Sequence, residues 1–222
     1  LIGRGDQAAM QALYARVARW IYALYLLVFG AITFAAPLAL RTVGDRYDDY
    51  WLVVPILAFG RWLNTAGGPA QMALLMSGRS RLEFLNNLAI NAANLALNYV
   101  LISRYGVYGA AVATATSLTF FNAARIVEVR WLIGIGPNVR EGTRVTLAGL
   151  LAAVPSVALA FVGFDRLVWA GLATGCFVLL YPAMLYLLGL RDDVRAAWNA
   201  VREGWQAWQA RRAAAGATDP LS

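Results

Sequence analysis

The chain has 222 residues, of which 60% are hydrophobic and only 14% charged. An ordinary soluble domain carries about 25% charged residues, so that class is excluded. The net charge is +7, and every basic residue is an arginine; these arginines fall between apolar blocks, which fits membrane topology better than nucleic-acid binding.

Several chemistries drop out early. The chain has no histidine, which removes the usual zinc sets and the Ser/His and Cys/His nucleophile pairs. The single cysteine, Cys176, lies in an apolar run and can form no intramolecular disulfide. No phosphate-cradling glycine loop and no zinc motif is present, and the apolar blocks offer no carboxylate pair for hydrolysis. The expectation is therefore a non-enzyme with no catalytic residue, metal or cofactor. The first residues are polar, begin on Leu1 and contain no signal-peptide core, so a longer protein with material upstream is expected.

Apolar blocks of membrane-crossing length, about 20 residues, follow one another. Span one is Trp20–Leu40, span two Tyr50–Met76 and span three Phe84–Ile102. Span four is Val107–Ile133, span five Thr143–Phe164 and span six Leu167–Leu190. The arginines sort by side. Arg4, Arg16 and Arg19 precede span one, Arg79 and Arg81 follow span two, and Arg125, Arg130, Arg140 and Arg144 surround the end of span four. Arg191, Arg195, Arg202, Arg211 and Arg212 lie in the tail. Against these fourteen, the other side has only Arg41, Arg46, Arg104 and Arg166. The positive-inside bias then puts both termini in the cytoplasm.

Within span two, Arg61 sits near the middle of "LAFGRWLNTAGGP", with Asn64 on the same face. A cation at that depth costs about 2.5–3.5 kcal/mol or more, so it must face protein or water. It either lines a cavity for an anionic group such as a phosphate or pairs with an acid, Glu128 being the obvious partner. Gly67-Gly68-Pro69 is the best candidate for a hinge.

Span three is an apolar helix with an amide stripe. Asn87, Asn91, Asn94 and Asn98 stand at i, i+4, i+7 and i+11, on one helical face. The stripe is either interhelical glue or the polar wall of a transport path. Span four begins with a small-residue packing face at Gly106, Gly109 and Ala110. It ends with Asn122, Arg125 and Glu128, where Arg125 and Glu128 can pair with each other. In the tail, Val194, Trp198, Val201, Trp205 and Trp208 form an apolar stripe beside arginines, which reads as an amphipathic helix on the cytoplasmic leaflet. A contact with a partner helix is the alternative. The chain divides into a six-helix membrane unit, 1–190, and a cytoplasmic amphipathic helix with a frayed end, 191–222.

The run "LLMSGRSRLEFLNNLAINAANLALNYVLISRYGVYGAAVATATS" resembles the C-terminal half of polysaccharide-transport flippases of the multidrug/oligosaccharidyl-lipid/polysaccharide (MOP) superfamily. The likeness covers about Trp20 to Trp131, and "YGVYGAA" is its most specific part. The resemblance implies an all-α integral membrane protein, with six transmembrane helices forming most of the C-terminal lobe. It also implies a carrier in the cytoplasmic membrane that moves a lipid-linked oligosaccharide or polysaccharide precursor by alternating access. Its partners would be the lipid-linked saccharide, membrane lipids and a missing N-terminal lobe. Substrate binding would fall to Arg61, Asn64, Asn87, Asn91, Asn94 and Asn98. A drug or cation antiporter of the same superfamily is the alternative, as is a membrane scaffold of a polysaccharide-synthesis complex.

Overall fold

The computed structural model describes residues 7–44, 50–162 and 165–190, together with Arg202 and Gln206. Those residues are helical apart from short turns. In chain order they form α1 (Gln7–Val43), α2 (Val53–Asn64), α3 (Ala70–Met76), α4 (Ser80–Leu132), α5 (Val139–Ala158) and α6 (Arg166–Leu187). A short 3-10 turn, Leu159–Val162, ends α5. The amphipathic helix expected after residue 190 lies outside the described residues.

Among the described residues, three helices are long and apolar enough to cross a membrane: α1, α4 and α6. The other two expected spans depart for local reasons. Span two is not one helix. After 12 residues α2 stops at Asn64, and the chain turns through Gly67-Gly68-Pro69 before α3 begins. Gly68 adopts φ +62, and a Cβ there would stand 2.5 Å from the Ala18 Cα. Only glycine combines that conformation with that approach. α5 opens with Arg140, Glu141 and Arg144, which dilute its apolar character.

Spans three and four form one helical run of 53 residues, interrupted at Gly106 (φ 55, ψ −131). A straight helix would put Glu83 and Arg125 about 60 Å apart, yet Arg125 Nη2 lies 2.6 Å from Glu83 Oε1. The run is thus a hairpin whose turn is essentially one glycine. Its two legs, 80–105 and 107–132, are antiparallel, and Gly109 packs on the Leu101 backbone.

Paired contacts give the direction of the remaining helices. α1 runs antiparallel to α2, with Tyr22 stacked on Trp62 and the Tyr14 hydroxyl donating to the Gly67 carbonyl. α2 runs parallel to the second leg of α4. A Cβ on Gly60 would stand 2.5 Å from the Ala115 Cα, and Gly67 faces Ile126. α5 runs parallel to α1, since Arg19 pairs with Glu141 and Gly149 packs on Leu26. α6 is antiparallel to α1, with Tyr181 bonded to the Ala23 carbonyl and Phe34 edge-on to Trp169. Six helical legs therefore alternate in direction. The largest core cluster joins α1, α5 and α6 through Leu26, Phe34, Val145, Ala152, Ala173, Phe177 and Tyr181.

Candidate functional site

The helix break after Asn64 is closed by side chains from two other elements. Asn122 donates to the Leu63 carbonyl at 3.1 Å, and the Thr65 hydroxyl donates to the Trp62 carbonyl at 2.7 Å. With Tyr14 on the Gly67 carbonyl, most acceptors freed by the break are occupied. A helix broken inside an apolar segment needs such partners. Asn64 is the exception, because its Oδ1 is buried with no hydrogen-bond partner.

The arginine-rich end of the α4 hairpin contains a buried polar cluster. Arg125 Nε and Nη2 grip both oxygens of Glu83, at 3.1 and 2.6 Å. Nη2 also donates to Asn87 Oδ1 at 2.9 Å, and Asn87 Nδ2 donates back to Glu83 Oε1 at 2.9 Å. Glu83 is 2% exposed and Arg125 8% exposed. Beside them, Asn86 donates to Glu128 at 2.6 Å. These geometries revise two expected pairings. Arg125 takes Glu83 rather than Glu128, because the hairpin brings Glu83 opposite it with room for a two-pronged bond. Glu128 takes Asn86 rather than Arg61, because Arg61, one residue past Gly60 and so level with Ala115, lies about 18 Å along the second leg from Glu128.

Arg61 is exposed on α2 and has no ion pair among the described residues. Its direction follows from its neighbours. Gly60 packs on the second leg of α4 and Trp62 on α1. Arg61 falls between those contacts at about 100° from each. Ile56, Phe59 and Leu63 point the other way, into an apolar groove of about 580 Å³ shared with Val112, Thr116 and Thr119. On the second leg, Arg125 is nine residues from Thr116, about half a turn out of phase, so the Glu83 end of the first leg lies on the Arg61 side, while Gly109, which meets Leu101, is nearly in phase with Thr116. The hairpin register, with Leu101 beside Gly109 and Asn87 beside Arg125, sets Asn94 level with residue 117. Gly60 is level with Ala115. Register thus sets Arg61 and the middle of the amide stripe at similar depth.

The stripe itself is used unevenly. Asn87 is consumed by the ion pair. Asn91 is exposed and donates to the Asn87 carbonyl. Asn98 donates to the Asn94 carbonyl and to Asn94 Oδ1, both at 2.9 Å. These last bonds stay within one leg, so Asn91, Asn94 and Asn98 keep hydrogen-bonding capacity toward the face.

Sequence reasoning missed Glu83, which it left in a turn. The signal was present: Glu83 precedes Asn87 by one helical turn and extends the stripe. No family model, curated protein or solved structure matches this chain.

Proposed function

We propose that this chain is the C-terminal part of a carrier that moves a lipid-linked oligosaccharide or polysaccharide precursor across the cytoplasmic membrane by alternating access. In this reading all six legs cross the bilayer, both termini are cytoplasmic, and a second lobe faces the Arg61 side. The observation that carries the reading is Arg61: an exposed arginine on an apolar helix, at the depth of a row of amides. Lipid is a costly neighbour for it, at about 2.5–3.5 kcal/mol or more. Water, a second lobe or an anionic cargo is not.

Each part of the face has a role. Arg61 binds the pyrophosphate of the cargo through its planar fork. Asn91, Asn94 and Asn98 exchange hydrogen bonds with sugar hydroxyls. Asn64 lies beside Arg61 and its buried carbonyl oxygen awaits a donor. Asn87 serves as a structural member of the Glu83–Arg125 cluster.

The antiporter reading needs an acidic coupling group within the spans. Glu83 and Glu128, the acids of the hairpin, are engaged by Arg125 and Asn86 at its end. The scaffold reading rests on the tail, which lies outside the described residues. The deciding experiment is polysaccharide export in cells carrying Arg61→Ala at normal membrane abundance. Export should be abolished; wild-type export would sink the proposal.

A further inference from the structure

The first leg of α4 is fastened unevenly. From residue 84 to 108 no residue is buried. Asn91 and Asn98 spend their amide donors on their own leg. The cross-leg polar bonds among the described residues gather at the arginine-rich end, where Arg125 meets Glu83 and Asn87 and Asn86 meets Glu128. At the opposite end Gly106 alone reverses the chain, with no atom within 4 Å of where a Cβ would stand.

We propose that the Glu83–Arg125–Asn87 cluster is a releasable latch. It holds the first leg against the second, and its opening lets the first leg swing about Gly106 and uncover the half-buried Asn94 and Asn98. Charge chemistry suits that task. An apolar contact of the same volume would hold the legs at least as firmly. An ion pair differs in that its groups can exchange each other for water or polar cargo as the leg departs. Packed elements of this kind move between discrete arrangements rather than bending continuously. The purpose given to the motion rests on the transport reading; the motion itself is measured without cargo.

The test is a pair of spin-label distances in the full chain in lipid bilayers, with Cys176→Ala as background. Labels at Leu88 and Val127 report the latch end, and labels at Ile102 and Val112 the pivot end; all four positions are exposed. In E83Q the Leu88–Val127 distribution should gain a second population longer by about 5 Å, one helical turn, with Ile102–Val112 unchanged. Identical distributions in parent and E83Q would overturn the latch, and so would equal broadening at both ends, which means general loosening. Should E83Q not fold, R125K keeps the charge but loses the fork and is read the same way. If neither variant folds, the cluster is a static support and the latch is refuted. R61A should leave both distances unchanged, so normal export in R61A would sink the transport reading without touching this one.

Discussion

Arg125 and Arg61 both stand in apolar helices, yet the fold treats them in opposite ways. Arg125 is enclosed, and Glu83 and Asn87 occupy its donors. Arg61 is left outside, at the depth of Asn94 and Asn98, which bond each other within their own leg. The contrast shows that an arginine in an apolar helix has no fixed meaning. Where neighbouring legs supply its partners it is structural. Where they supply none, something beyond the described helices must, and that makes it a candidate for function.

The largest expected effect breaks the enclosed side of the comparison. Arg125→Ala leaves Glu83 as an unpaired buried charge and should lower stability by about 3–5 kcal/mol. Denaturant unfolding in detergent micelles would measure it. A loss no larger than that in R61A would abolish the distinction between the two arginines.

Gly68→Ala should cost less, about 1–3 kcal/mol, from the positive φ and the close Ala18 backbone. Its thermal midpoint, compared with Gly136→Ala, checks this. Gly136 has open space where a Cβ would go, so its loss of midpoint should be much the smaller.

Asn122→Ala removes the bond to the Leu63 carbonyl and should cost about 1 kcal/mol. Faster amide exchange at Ala66 and Gly68 is the local readout, since these N–H groups close the same turn.

The smallest stability effect sharpens the other side. Asn91→Ala and Arg61→Ala should each change stability by about 0.5 kcal/mol or less, as exposed substitutions do, while lowering export. A drop in stability comparable with Arg125→Ala would make the Arg61 face a packing surface.

Much of the fold was legible in the sequence. Helix content and the order of six apolar blocks followed from hydropathy, and the break at Gly67-Gly68-Pro69 from three adjacent helix-weakening residues. Boundaries were less so. α1 begins at Gln7 rather than Trp20, because Tyr14 and Ala18 pack on the helix break and Gln11 bonds both backbone groups of Gly136. No local signal in residues 7–19 announces those distant partners. The amide stripe was visible as a stripe, but its use was not. Asn87 and Asn98 are the same residue on the same face, and only the first finds an arginine opposite.

The sequence alone therefore determined which segments are helical and apolar, because those properties depend on residues within a few turns of one another. It also determined that Arg61 and the asparagines interrupt otherwise apolar segments. Tertiary structure decided the partners. A single glycine folds α4 back and brings together Glu83 and Arg125, 42 positions apart. The same reversal sets the stripe level with Arg61, which has no ion pair among the described residues. Pairing across such distances depends on helix direction and register, which the chain fixes only by packing all of its helices at once.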